Sequence, residues 1–267
     1  MTKYWHQDAY CLLFLQTFKP RDKMKHCFVI PVYNHPHYLA ALLSHLSTFE
    51  LPIIMVNDGS NTECTALLHQ LASDYSWVDL VEHSHNQGKG QAVITGLKHA
   101  FECGYSHALQ LDADGQHDWP DVQRFLDTSI QHPEAMIIGQ PIFDATVPKK
   151  RLYGRYATHI WVWINSLSFE IKDSMCGFRV YPLAQTVNIL NTAKFQPRMG
   201  FDSEILVRLK WDNVPFISLP THVIYPEDGI SHFDVWRDNL GMARAHSRLL
   251  GGMLLRLPKL IYQKVKD

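Results

Sequence analysis

Cysteine is scarce: Cys11, Cys27, Cys64, Cys103 and Cys176 are the only five in 267 residues, an odd number with no C-x-x-C pair. This argues against a disulfide framework and a structural zinc site, and it fits a reducing compartment. Net charge is nearly nil, with 25 Lys and Arg against 26 Asp and Glu. No global field therefore draws the chain to nucleic acid or to an anionic membrane, so recognition by charge must be local. No run reaches the ~20 apolar residues that span a bilayer. A signal peptide is not expected: Lys3, His6 and Asp8 interrupt the first residues, and Tyr10 to Leu15 is short and lacks a small-residue cleavage site. Repeats, low-complexity tracts and clear linkers are missing too. One domain is expected over residues 1–267, cytoplasmic or peripheral on the inner face of the membrane.

Apolar residues make up 46% of the chain and charged ones 19%, ordinary values for a protein with a sizeable core. Histidine is abundant at 16. The pairs His35/His37 and His83/His85 lack a second cluster at ligand spacing, so they read as solvated loop side chains. From Cys27 to Gly139, short apolar runs alternate with helical patterns. Strands are expected at Cys27–Ile30, ended by Pro31, and at Ile53–Val56, Val78–Val81, Ala108–Leu111 and Ala135–Ile138, with helices between them. The fold class is α/β, with a mostly parallel sheet covered on both faces. Further on, a helix over Leu152–Leu167 carries Tyr153, Tyr156, Ile160, Trp163 and Leu167 on one face. Phe201–Trp211 reads as another helix, Val214–Tyr225 as two short strands each ended by proline, and the tail from Phe233 as a long helix.

Ligands of open parallel sheets bind at the carboxyl ends of the strands. Three polar signatures stand there: Pro31-Val32-Tyr33-Asn34, Asn57-Asp58-Gly59-Ser60 and Asp112-Ala113-Asp114. The two aspartates of the last would repel unless a cation or donors compensate, and hard divalent cations prefer oxygen ligands. Alone, D-x-D reads equally as a polar turn. Asp58 is suited to accept hydrogen bonds from a nucleobase or ribose, though Asp-Gly is also an ordinary turn. Asn86-Gln87-Gly88-Lys89-Gly90 offers close backbone approach and a cation before a helix start, which suits phosphate, without P-loop spacing.

The ordered segments Phe28–Asn34, Val56–Ser60, Asn86–Gly90 and Asp112-Ala113-Asp114-Gly115-Gln116-His117, followed by Asp173-Ser174-Met175-Cys176-Gly177-Phe178-Arg179, resemble family 2 glycosyltransferases. The resemblance is closest to the dolichol-phosphate-mannose-synthase-like branch and covers roughly residues 27 to 232. It implies a nucleotide-diphosphate-sugar transferase (GT-A type) fold. Residues 27–140 would form the nucleotide-sugar half, 141–232 the acceptor half and 233–267 a helical tail. It further implies that Pro31, Tyr33, Asn34, Asp58, Lys89 and Asp112 bind the nucleotide, while Asp114 and Gln116 hold Mg²⁺ or Mn²⁺ against the diphosphate. Asp173 enters as a catalytic candidate from the D-x-x-x-G-F-R segment. Two departures stand out. Asn57 replaces the usual first aspartate, and Gly229-Ile230-Ser231-His232 replaces G-x-S-K, leaving His232 to reach a phosphate or the metal.

The implied donor is a UDP- or GDP-linked sugar, and the acceptor a lipid-linked or other glycan. A hydroxyl acceptor needs a base, for which Asp202 and Glu204 are candidates, whereas a phosphate acceptor needs cationic positioning. Arg151, Arg155 and Arg179 are the candidates for that positioning. Asp202 reads equally as a helix cap. In the tail, Arg244, Arg248, Arg256, Lys259 and Lys264 beside Leu249, Leu250, Met253, Leu254 and Leu255 fit either a membrane-surface helix or a core contact. The rival readings are a sugar-phosphate nucleotidyltransferase and a non-catalytic nucleotide-sugar-binding relative.

Overall fold

The computed structural model describes residues 24–143, 149–223 and 234–266. The expectations for the N-terminal segment and for Gly229–His232 therefore lie outside the described residues, as do the side chains of Arg151 and Lys264.

Seven strands form one sheet: β1 (His26–Val32), β2 (Ile53–Asn57), β3 (Val78–Glu82), β4 (His107–Gln110), β5 (Met136–Ile142), β6 (Arg179–Pro182) and β7 (Phe216–His222). Their order is β3-β2-β1-β4-β6-β5-β7. The first four run parallel, β6 is antiparallel to both β4 and β5, and β7 is parallel to β5. The described helices are α1 (Leu39–Leu46), α2 (Thr62–Asp74), α3 (Lys89–Glu102), α4 (Val122–Gln131), α5 (Lys149–Ser166), α6 (Leu183–Thr192), α7 (Phe201–Trp211) and α8 (Val235–Lys266).

Both faces of the sheet are covered, which is why its central strands read as continuous apolar runs. Phe28, Ile30, Ile53, Met55 and Leu109 face α1, α2 and α4, whereas Val29, Ile54, Val56 and Ala108 face α3, α6 and α7. This mixed, mostly parallel sheet flanked by helices is the GT-A type α/β architecture, closed by the long C-terminal helix.

β1 runs through Pro31 instead of ending there. On the β2 side Phe28 N donates to Pro52 O, while on the β4 side Leu111 N donates to Val29 O. Pro31 shares the phase of Val29 and lies past the last β1–β4 pair, Val29 with Gln110, so its missing N–H breaks no ladder bond. The two proline-ended strands expected over Val214–Tyr225 are a single described strand, with Pro220 on the sheet edge.

The face expected on α5 is split: Tyr153 is 70% exposed and Tyr156 and Ile160 are also exposed, whereas Trp163 and Leu167 are part-buried, and Thr158, His159, Val162 and Asn165 turn inward. In α8, Leu249, Met253 and Leu260 join the core, whereas Leu254 and Leu255 are exposed. Among the described residues no helix is long and apolar enough to cross a membrane. Cys27, Cys64 and Cys176 are buried free thiols.

Candidate functional site

The loops at the carboxyl ends of β1 and β2 are stitched together by Asn34. Its N–H donates to Ser60 Oγ and its Oδ1 accepts from Asn61 N, at 3.1 and 2.8 Å. Asn34 holds this position with φ at 52°, which an asparagine tolerates better than most residues. Pro31 and Tyr33 flank this junction, both part-buried.

Asp58 is buried, and each of its carboxylate oxygens meets two partners. Oδ1 is 2.7 Å from His83 Nδ1 and accepts from Gln87 N, while Oδ2 accepts from Asn86 Nδ2 and Gly88 N. Its carboxylate therefore organises the glycine-rich loop instead of standing open to a nucleobase. His83, read as a solvated loop residue, has a side chain only 7% exposed and reaches Thr95 Oγ1 with its other nitrogen.

The glycines of that loop serve a neighbour within the chain. A Cβ on Gly88 would lie 2.5 Å from Arg198 Cγ, and one on Gly90 would clash with Phe201 Cβ. Gln91 N also donates to Pro197 O at 2.8 Å. Close packing against residues 196–201 thus explains glycine at both positions. It also sets the start of α3 against the start of α7.

Lys89, the first residue of α3, reaches across this junction. Its Nζ lies 2.7 Å from Asp112 Oδ2 and 3.5 Å from Asp202 Oδ2. Burial alone would lower the Lys89 pKa, but Asp112 and Asp202 outweigh it and hold the ammonium well above the usual lysine range. Burial alone would likewise raise Asp112, yet the Lys89 ammonium holds its carboxyl well below the usual carboxylate range. Asp112 also packs on Gly177: a Cβ there would clash with the carboxylate, its Oδ1 at 2.6 Å. The glycine of the G-F-R segment is thereby explained by a close approach to the D-x-D loop.

Asp202 is the second residue of α7, and the helix has no side-chain cap. Its carboxylate faces Lys89 on one side and Arg179 Nη1, at 3.3 Å, on the other. Asp114 is part-buried, and its Oδ1 accepts from Gln116 N.

Other expected members lie elsewhere or are engaged. Glu204 is fully buried and held by Arg208, Arg248 and Gln196 N. That arrangement is an internal ion-pair cluster joining α7 to α8. Asp173 accepts a bidentate pair from Arg155, at 2.6 and 2.7 Å, and caps Met175 N and Cys176 N. Burial alone would raise the Asp173 carboxyl, but His159 and then the Arg155 guanidinium hold it well below its ordinary range. Asp173 and Arg155 therefore brace the G-F-R loop against α5. Arg179 is fully buried and donates to Cys176 O, Ser174 O and Asp202 O, so it is no surface ligand for a phosphate.

Sequence reasoning missed Gln110, Tyr181, Arg198 and His117. Arg198 bridges the glycine loop to α8, pairing with buried Asp238 at 2.7 Å. Tyr181 donates to Gln110 Oε1, and burial pushes its phenol up to about 12. The buried ring of His117 has no hydrogen-bond partner at either nitrogen and stands 3.8 Å from Asp112 Oδ2, too far for a hydrogen bond. A polar residue in an apolar strand was the available signal for Gln110.

The residues around the D-x-D fit a hard divalent cation shared with a ligand. Asp114 offers carboxylate oxygen, and His117 Nε2 lacks a partner beside Asp112. The D-x-D is thus no closed cage, which suits Mg²⁺-like ions that take one or two carboxylates plus substrate phosphates.

Comparison with known proteins agrees with this geometry. A UDP-N-acetylglucosamine–dolichyl-phosphate N-acetylglucosaminyltransferase of Methanococcus voltae is 24% identical over 216 residues, covering 74% of this chain and 85% of that protein. A dolichyl-phosphate beta-glucosyltransferase of Trichomonas vaginalis is 28% identical over 202 residues, covering 67% of this chain and 60% of that protein. A mannosyltransferase of Pyrobaculum calidifontis, solved with GDP-Man and Mn²⁺, superposes with a TM-score of 0.55 at 14% identity, covering 84% of this chain and 67% of that one. That last likeness is one of fold. The family model described as glycosyl transferase family 2 matches residues 27–186, more than half of the sequence, and the chain belongs to that family.

Proposed function

We propose that this enzyme transfers a sugar from a nucleotide-diphosphate-sugar to a polyprenyl-type phosphate lipid, with inversion at the anomeric carbon. The observation that carries the reading is the Lys89–Asp112–Asp202 cluster at the carboxyl ends of the strands, where the D-x-D loop meets the start of α7. The two relatives, both named as dolichyl-phosphate glycosyltransferases, support the acceptor class.

In this reading Pro31, Tyr33 and Asn34 border the nucleoside, and Asp112 meets the nucleotide. Asp114 and Gln116 would hold Mg²⁺ or Mn²⁺, which when bound neutralises charge on the departing diphosphate. An acceptor phosphate oxygen attacks C1 of the sugar as the C1–O bond to the nucleoside diphosphate breaks, and the electron pair leaves with the diphosphate. The acceptor is already anionic, so no base is needed and Lys89 supplies local positive charge. Asp202 then steers Lys89. For a hydroxyl acceptor Asp202 is the carboxylate placed to act as base, since Glu204 is sequestered.

A peripheral position on a membrane fits the outward apolar side chains. Trp236 is 88% and Leu255 85% exposed, on the helix that also carries exposed Arg237, Arg244 and Lys259. Apolar wedges beside basic side chains are the composition of interfacial helices.

The test is incubation with labelled UDP- and GDP-sugars, Mn²⁺ and a polyprenyl phosphate in vesicles. Label appearing in the lipid phase is the expected result. Transfer only to a water-soluble hydroxyl acceptor would overturn the acceptor class. Release of pyrophosphate from a nucleoside triphosphate and a sugar phosphate would favour a nucleotidyltransferase instead.

A further inference from the structure

A directional hydrogen-bond chain runs from the G-F-R segment to the D-x-D loop. Arg179 Nη1 donates to the Tyr181 hydroxyl at 3.3 Å, Tyr181 donates to Gln110 Oε1 at 2.9 Å, and Gln110 Nε2 donates to Asp112 Oδ1 at 3.3 Å. Its polarity is forced. A guanidinium can only donate, so the hydroxyl must accept from it and pass its own proton onward. That fixes the Gln110 amide with oxygen towards Tyr181 and nitrogen towards Asp112. All three upstream residues are fully buried, leaving water no way to substitute for a lost link.

The chain closes on itself. Arg179 also donates to Asp202 O at 2.9 Å, and Lys89 joins Asp202 back to Asp112. β4, β6, α7 and α3 thus share one polar ring that holds Asp112 and Asp202 in a fixed relation.

We infer that Arg179, Tyr181 and Gln110 are positioning residues for Asp112: they orient its Oδ1 and keep its carboxylate in place for the nucleoside diphosphate. This rests on the reading of Asp112 as a nucleotide contact. It gives the G-F-R arginine a role at the donor in place of the acceptor role expected from sequence. Partners of this kind behind a ligand-binding group typically carry on the order of tenfold in affinity.

The test is Mn²⁺-dependent binding of UDP and GDP to wild type, Tyr181→Phe, Gln110→Met and the double variant, with thermal melting of each. Tyr181→Phe removes one oxygen and retains the ring; Gln110→Met retains chain length if the tyrosine variant folds poorly. The expected result is a roughly tenfold weaker nucleotide affinity in each single variant. The double variant should be no weaker than the worse single one, because links in series are not additive. Unchanged affinity with a lowered melting temperature, or additive losses, would overturn the relay. Failure of wild type itself to bind either nucleotide would instead overturn the functional reading beneath it.

Discussion

Lys89 and Asp112, the first residue of one helix and the second residue after a central strand, form a 2.7 Å ion pair whose side chains are 22% and 16% exposed. The same ammonium reaches Asp202 Oδ2, so a single cation lies between two carboxylates from opposite halves of the chain.

Replacing Lys89 by methionine leaves those carboxylates facing each other with no charge between them. The Lys89→Met protein should lose about 1–3 kcal/mol of stability in metal-free buffer, as expected when one partner of a part-buried pair is removed. Mn²⁺ should then raise its melting temperature more than it raises that of wild type, because a ligand bound only by the native state stabilises it. Differential scanning fluorimetry across a Mn²⁺ series checks this.

The two acidic residues at the start of α7 should separate cleanly. Glu204→Gln uncouples a fully buried carboxylate from Arg208 and Arg248, so a stability loss of about 3 kcal/mol is expected with donor affinity retained. Asp202→Asn keeps the shape of the side chain beside Lys89 and Arg179, so a smaller stability loss is expected together with at least tenfold lower transfer. Urea unfolding and transfer assays on both proteins decide the matter.

Much of this layout was legible in the sequence. The apolar runs and helical periods located each strand and helix between β1 and β5, and the polar signatures did fall together at the carboxyl ends of the strands. What was not legible depended on packing between distant segments. Glu204 and Asp202 are two residues apart and read alike, but one faces α8 and the other faces Lys89. Gly88 and Gly90 read as a phosphate cradle, yet the backbone they accommodate belongs to residues 196–201. Arg179 read as an anion ligand, since nothing local reveals that its guanidinium turns under the D-x-D loop. The α5 periodicity identified a face without saying which way it points. Tyr153 and Ile160 lie on the outside because His159 and Asn165 find partners within, Ser174 and His246.

Acid should destabilise the fold through the opposite end of the sheet. His26 bonds to Ser129 and stacks on His107 with centroids 4.9 Å apart. Burial first, and then His107, lowers the His26 pKa from 6.5 to about 4. The unfolded chain therefore binds this proton before the folded one does. The contribution is complete above about pH 6.5 and is lost as pH falls towards 4, amounting to about 3 kcal/mol. Unfolding free energies at pH 7 and pH 4.5 should differ less in His26→Phe than in wild type.

Donor binding through the D-x-D loop is the central claim, and calorimetric titration of UDP- and GDP-sugars with and without Mn²⁺ into wild type and Asp114→Ala tests it most directly. The account predicts metal-dependent binding of one nucleotide class to wild type and at least tenfold weaker binding to a variant that melts normally. Equal binding by the two proteins, or binding indifferent to the metal, would contradict it.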